Sequence, residues 1–331
     1  MAFFRQELTA ILARDDQSCL CSARRRLSWV VKHNDGQIKT VGKLLVTGAS
    51  GFLGWNLCQI AHSAWEIYGT TWTNTVQIPG ITTVKLDLRN WEQSQQTFAQ
   101  IRPDAVIHLA AASKPNYCQT HPDESYLMNV SVSEAIASWC AESAIPLVFT
   151  STDLVFDGLN PPYHEGDRPS PICIYGEHKA IAEQRVLQRH PQAVVCRMPL
   201  MFGEASPTSG SFLQGFLQAL RQGETLRLFA DEYRSVTSAK TASQGLLLAL
   251  EQAPGLLHLG GKEVISRYDF GLLMAEVFDL PQELIQPCQQ QDVKMSAPRP
   301  PNVTLDSSRA YSLGYNPRSL REELFDLKKN T

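Results

Sequence analysis

Lys43-Leu44-Leu45-Val46-Thr47-Gly48-Ala49-Ser50-Gly51-Phe52-Leu53-Gly54 is the stretch on which the reading of this chain turns. Residues 44–46 form a short apolar run, closed by Thr47-Gly48, and a helix-like stretch over 52–64 follows. Each glycine between them has a physical use. Gly48 permits the tight turn, Gly51 lets the backbone approach a pyrophosphate, and Gly54 lets the helix pack closely on the sheet. The helix start offers free N–H groups and a partial positive charge to such an anion. A strand before and a helix after predict a dinucleotide-binding loop rather than a ligand-free turn.

Working outward, apolar strands alternate with helices. Residues 66–71, 83–86, 105–109, 146–150 and 193–197 read as strands, and 91–102, 124–143 and 180–189 as helices. This alternation predicts an α/β protein, a Rossmann-type doubly wound parallel sheet covered on both faces. Beyond Pro199 the texture loosens into proline, glycine and short helices, as at 210–222 and 269–278. A smaller C-terminal α/β domain is expected from 200–236 plus 260–331. The larger domain takes 41–199 plus 237–259, with helix 241–252 and the run 256–259 returning to it. Residues 1–40 carry Arg24-Arg25-Arg26, a helix-like stretch over 2–12 and no strand-like run, and are expected to form a poorly ordered extension.

Composition narrows the function classes. The chain has 331 residues, 43% hydrophobic and 19% charged, an ordinary globular balance for a large domain plus a smaller one. A net charge of −3 without long runs of one sign gives no push toward nucleic acid or anionic membrane. No stretch approaches the ~20 apolar residues of a membrane span. The eight cysteines include no C-x-x-C pair, so buried reduced thiols in a cytoplasmic protein are expected, and no metal site.

The main catalytic signal is Tyr175-Gly176-Glu177-His178-Lys179. Tyrosine and lysine at i and i+4 share one helix face. A cation ~4 Å from a phenolate contributes about 4 kcal/mol at an effective dielectric near 20, up to ~3 pKa units before burial competes. The pair is therefore expected to make Tyr175 a general acid for a carbonyl under reduction. The preceding strand ends in Thr150-Ser151-Thr152-Asp153, at the sheet edge where open α/β proteins bind ligands. Thr152 is expected to hydrogen-bond the carbonyl oxygen. Ser151 is the alternate, since strand alternation turns only one of them into the site. The second strand ends in Trp72-Thr73-Asn74 without a carboxylate, which removes repulsion against a 2′-phosphate and favours NADP(H) over NAD(H).

The spacing T-G-x-x-G-x-x-G resembles that of the extended short-chain dehydrogenases/reductases. Ser151-Thr152-Asp153-Leu154-Val155-Phe156-Asp157-Gly158, Pro162-Tyr163-His164-Glu165, Tyr175-Gly176 with Lys179, and Arg299-Pro300-Pro301-Asn302 resemble the dTDP-4-dehydrorhamnose reductase family more narrowly. The resemblance implies a Thr152, Tyr175, Lys179 catalytic set. It implies cofactor contacts from Gly48, Ser50, Gly51, Phe52, Leu53 and Gly54. His108-Leu109-Ala110-Ala111 resembles a fourth-strand motif whose small residues let the backbone lie against the cofactor. Lys179 would also hold the nicotinamide ribose. Asp87 resembles the family's adenine-contacting aspartate, and reads equally as a cap for helix 91–102. Asn129 resembles the helix asparagine that supports the active site. Ser151, Arg234, Arg299 and Asn302 are expected on the substrate side, the arginines meeting phosphates; Arg234 reads equally as surface charge.

The activity implied is NAD(P)H-dependent reduction of a keto group on a nucleotide-linked sugar, the family's being dTDP-rhamnose biosynthesis, with a homodimer as the assembly. Two other readings stay open. One is an epimerase or dehydratase on the same fold, although Asp153-Leu154 lacks the dehydratase Asp-Glu pair. The other is a non-catalytic NADP-binding subunit resembling the methionine adenosyltransferase regulator, a relative that keeps this fold.

Overall fold

β1 (Lys43–Thr47) runs through the glycine loop into α1 (Phe52–Ala61), β2 (Glu66–Thr71), β3 (Thr82–Lys85), α2 (Trp91–Ile101) and β4 (Ala105–His108). Two short helices, α3 (Pro115–Thr120) and α4 (Pro122–Tyr126), precede a π-helical turn, Leu127–Ser131, and α5 (Val132–Glu142). β5 (Leu147–Thr152), α6 (Ile174–Arg189) and β6 (Val194–Met198) follow. This computed structural model describes residues 42–74, 76–252 and 254–330. The extension expected over 1–40, its helix-like stretch 2–12, and Cys19 and Cys21 lie outside the described residues.

The remaining elements are β7 (Met201–Phe202), α7 (Phe212–Arg221), β8 (Leu226–Phe229), β9 (Tyr233–Arg234), β10 (Thr237–Ser238), α8 (Ala239–Ala249), β11 (Gly255–His258), β12 (Ile265–Ser266), α9 (Arg267–Val277), β13 (Ile285–Cys288), α10 (Ser308–Ser312) and α11 (Leu320–Asn330). Side-chain caps start several helices. Asn90 caps α2, Ser238 caps α8 and Ser266 caps α9, while Ser211 and Gln214 make a reciprocal capping box at α7.

Seven strands form one sheet in the order β3-β2-β1-β4-β5-β6-β11, every neighbouring pair parallel. The order reverses between β1 and β4, which opens a crevice at the C-terminal strand ends. Strand alternation divides the apolar residues between two faces. Leu44, Val46, Ile107 and Val148 pack with α1 and α8 on one face. Leu45, Val106, Phe149 and Val195 pack with Ile136 and Val186 on the other.

The helix expected over 124–143 is instead α4, the π turn and α5. The extra residue in the π turn aims Asn129 inward, where it is fully buried. Phe202, Leu213, Leu217, Phe270, Met274, Ile285 and Leu324 build a third core between the later elements. The last segment also returns to the first core: Ala310 and Tyr315 pack there, and the Tyr315 hydroxyl donates to Leu259 O at 3.1 Å. The stretch 300–306 is hydrogen-bonded on two sides. Tyr163 N donates to Thr304 O and Asp306 N to Tyr163 O, both at 2.8 Å, and Tyr233 N donates to Pro301 O at 2.7 Å. The six cysteines among the described residues are buried and unpaired. Among those residues no helix is long and apolar enough to cross a membrane.

Candidate active site

The site is built on the end of β1. Thr47 Oγ1 accepts from Leu109 N and Ala110 N, each at 3.1 Å. Its own hydrogen therefore goes to His108 Nδ1 at 2.6 Å. That leaves the His108 hydrogen on Nε2, which donates to Ser133 Oγ at 3.0 Å; Ser133 donates in turn to Asn129 O at 2.8 Å. His108 is neutral here, burial and the nearby Lys179 charge taking its pKa down to about 3. The Asn129 amide accepts from Ala112 N and donates to Ala112 O, both at 3.0 Å, and donates to Ser125 Oγ at 3.1 Å. Residues 109–112 are thus held flat from both ends, by Thr47 and by Asn129.

Next to them lies the glycine loop. Gly48 adopts φ +70°, and a β-carbon there would come within 2.9 Å of Ala110 Cα; one on Gly54 would come within 2.3 Å of Gly48 O. Bare backbone is required at both points. A cleft of about 1430 Å³ runs along this strand edge. Gly48, Ser50, Gly51, Phe52, Leu53, Gly54, Asp87, Leu109, Ala110, Ala111, Ser151, Thr152, Tyr175, Lys179, Arg234 and Arg299 all line it. It exceeds the ~300–1,000 Å³ of an ordinary small-molecule site, so it has room for two ligands end to end. Asn302 does not line it. Its Oδ1 accepts from Thr304 N at 3.1 Å and Thr304 Oγ1 at 2.6 Å, which makes it a turn residue.

Asp87 does not cap α2, where Asn90 does that work. Its carboxylate instead takes two hydrogen bonds from Arg89, at 2.9 and 2.8 Å, and these hold its pKa below the usual range. Arg89 also lines the cleft, a cation at that end that the sequence reading missed.

Thr152 ends β5. Its hydroxyl donates to Asp153 Oδ1 at 3.1 Å and accepts from Leu154 N at 3.2 Å. Tyr175 and Lys179 sit one turn apart on α6, both buried, and both line the same cleft as Thr152. Ser151 Oγ is enclosed without a hydrogen-bond partner. The expected acidification of Tyr175 by Lys179 is not found. Burial dominates, helped by Cys118, Asp153 and Cys173, and pushes the phenol above its ordinary value. The Lys179 ammonium lies over the Phe149 ring, 4.1 Å from its centroid. Burial brings its own pKa down to about 7, against the opposing pull of Glu183.

Arg234 is buried, which excludes surface charge. It lines the cleft and is tied to its neighbours. Nη1 donates to Tyr233 O at 2.7 Å, Nη2 to Pro300 O at 3.2 Å, Nε lies 3.6 Å from Asp153 Oδ2, and Nη2 lies 3.5 Å from Glu232 Oε1. A bidentate phosphate clamp would have to break these contacts. Arg299 is freer, donating to Asn116 Oδ1 at 3.1 Å and Ala297 O at 3.3 Å. Arg267 joins the cleft from the start of α9, its guanidinium 4.1 Å from the Phe212 ring centroid and Nη1 buried without a partner. No local pattern marks Arg267; only the fold brings it here. Asp153 was also missed, although its place beside Thr152 at a strand end was a signal.

A β-carbon on Gly176 would stand 2.0 Å from Leu154 O. Gly176→Ala is therefore expected to push α6 off the turn after β5 and cost roughly 1–3 kcal/mol, as overpacking does. Thermal unfolding checks this; an unchanged midpoint would show that the helix yields freely.

The strand order, glycine loop and Tyr-x-x-x-Lys helix are those of an extended short-chain dehydrogenase/reductase, of the dTDP-4-dehydrorhamnose reductase-like kind. Residues 42–331 match the family model described as RmlD substrate binding domain, and the chain belongs to that family. The methionine adenosyltransferase 2 subunit beta of Xenopus laevis is 29% identical over 299 residues, covering 88% of this chain and 88% of that protein. A probable low-salt glycan biosynthesis reductase of Haloferax volcanii is 27% identical over 288 residues, covering 86% and 96%. Among solved structures, a dTDP-4-dehydrorhamnose reductase from Bacillus anthracis in complex with NADP has the same fold, with TM-score 0.78, 24% identity and coverage of 88% of this chain and 99% of that one. A hypothetical dTDP-4-dehydrorhamnose reductase from Sulfolobus tokodaii gives TM-score 0.73 at 30% identity, covering 82% and 94%.

Proposed function

We propose that this protein is an NADPH-dependent reductase of a keto group on a nucleotide-linked sugar. One observation carries the reading: a single cleft is lined by the glycine loop, by Thr152, Tyr175 and Lys179, and by Arg267 and Arg299. The residues fit a dinucleotide, since Gly48 and Gly54 are bare backbone and no side chain caps the start of α1, where a pyrophosphate would sit. When bound, the nicotinamide supplies the hydride. Tyr175 gives the proton to the developing alkoxide, Thr152 positions the oxygen, and Lys179 orients the ribose. Arg299 and Arg267 face the substrate phosphates. Residues 200–236 and 260–331 form the substrate domain around the third core, and the reaction belongs to the cytoplasm, where buried thiols stay reduced.

The test supplies NADPH and a panel of nucleotide-linked 4-ketosugars, including dTDP-4-dehydrorhamnose, and follows loss of the reduced-nicotinamide absorbance. Cofactor binding without turnover of any sugar would overturn the reading. NADPH is favoured because Arg89 can leave Asp87 for a 2′-phosphate. Arg89→Ala is expected to weaken NADPH about tenfold or more, the size of a hydrogen bond to a charged group, and to leave NADH unchanged. Titration of both cofactors checks this; equal losses would remove Arg89 from the discrimination.

A second reading rests on the methionine adenosyltransferase 2 subunit beta relatives, 28–29% identical over most of the chain. It makes the protein an NADP-binding regulatory subunit. Co-purification with a methionine adenosyltransferase catalytic subunit, together with silence toward every ketosugar, would select it.

A further inference from the structure

Between Tyr175 and Lys179 stands a side chain that the proposed reaction leaves idle. His178 follows Tyr175 by three residues on α6 and is buried, 7% exposed. Its Nδ1 lies 2.8 Å from Ser125 Oγ, near the end of α4. Ser125 is fully buried, and its oxygen also accepts from Asn129 Nδ2 at 3.1 Å. The same amide is bonded to Ala112 N and Ala112 O. A hydroxyl has one hydrogen and two acceptor positions. Ser125 therefore serves Asn129 and His178 together, whichever of Ser125 and His178 supplies the hydrogen between them.

Ala112, Asn129, Ser125 and His178 thus form an unbroken row of hydrogen bonds from the edge of the cleft to α6. At Asn129 O a second row joins it, through Ser133 and His108 to Thr47 at the end of β1. Apolar packing also holds α6 to the sheet, but packing is non-directional. A hydrogen bond accepts only a narrow range of distance and angle, so this row fixes the register of the helix as well as its approach. Neither Ser125 nor His178 lines the cleft, so neither touches a reactant.

We propose that Ser125 and His178 are positioning residues, which set the spacing between the backbone at 109–112, where the dinucleotide lies, and the turn of α6 that carries Tyr175 and Lys179. The inference rests on the reductase reading. Hydride and proton must reach the same carbonyl, one from each of these walls. A misplacement of about 1 Å costs up to ~10²-fold in rate.

The experiment compares the full chain with Ser125→Ala, His178→Phe, His178→Asn and the double variant Ser125→Ala/His178→Phe. It measures NADPH affinity by nicotinamide fluorescence, kcat and KM for dTDP-4-dehydrorhamnose, and Tm. The Tyr126 ring meets the imidazole edge-on, with centroids 5.3 Å apart. Phenylalanine keeps a ring there and has no nitrogen. Asparagine gives up the ring and keeps a polar atom at the place of Nδ1. His178→Phe should lower kcat about 10–100-fold with KM unchanged, and weaken NADPH about threefold to tenfold, the worth of one hydrogen bond. His178→Asn should keep most of both, although its lost packing gives it the lower Tm. The double variant should be no worse than the worse single one, because both changes cut one link. If Ser125→Ala does not fold, the ranking of the two His178 variants decides alone.

A purely structural histidine predicts the opposite ranking, with His178→Asn slower than His178→Phe and kcat following Tm. That ranking, or single effects that multiply in the double variant, overturns the proposal. Weakened NADPH in the expected ranking, in a protein that reduces no ketosugar, would keep this inference for the cofactor seat and fail the reductase reading. Turnover by the full chain with NADPH affinity and kcat unaltered in every variant would do the reverse.

Discussion

Tyr175→Phe is expected to lower kcat by about 10²–10⁴-fold, the usual contribution of a positioned acid, with little change in KM. The phenol lines the cleft with Thr152 and Lys179, and burial keeps it protonated well past neutrality. Removing its oxygen leaves the ring packed against Cys118, Cys173 and Ala297, so the fold should survive. Reduced-nicotinamide oxidation gives kcat, and circular dichroism with thermal unfolding shows whether the protein is intact. A variant with full activity would mean the proton comes from elsewhere, and a variant with a collapsed melting point would mean the hydroxyl was structural.

The second large effect concerns stability. Arg197 on β6 and Glu183 on α6 form a bidentate pair at 2.9 and 2.8 Å, with only 1% and 4% of their side chains exposed. The guanidinium also lies 4.9 Å from the Phe156 ring centroid. Arg197→Met leaves the Glu183 carboxylate buried without its counter-ion, and breaking such a pair costs about 3–5 kcal/mol. For a protein this size that is roughly a 10 °C fall in Tm. Differential scanning calorimetry decides it, and a shift of a degree or two would show that water reaches the vacated space. The same change removes a partner that fixes Glu183, which supports the charged form of Lys179. Lys179 should then titrate at a different pH.

Much of the nucleotide half was legible because its signals are local. Gly48, Gly51 and Gly54 stand between a strand and a helix, and the β-carbon clearances at Gly48 and Gly54 show why no other residue fits. Strand ends slipped by one or two residues, as at β5, because a fully buried strand has no polar alternation to mark its limits. The π turn at Leu127–Ser131 was invisible, since one inserted residue leaves a helical pattern nearly unchanged. The site was harder wherever partners are distant in sequence. Arg234 was picked out, but its commitment to Asp153 and Pro300 depends on packing that no motif encodes. The acidifying role given to Lys179 left out burial, which raises the phenol and lowers the ammonium.

The doubly tethered stretch 300–306 has a consequence for traffic through the cleft. It is laced to Tyr163 on one side and Tyr233 on the other. A hinge that swung the two walls apart would have to unpick backbone hydrogen bonds on one side. The seam is therefore expected to stay sewn while reactants come and go.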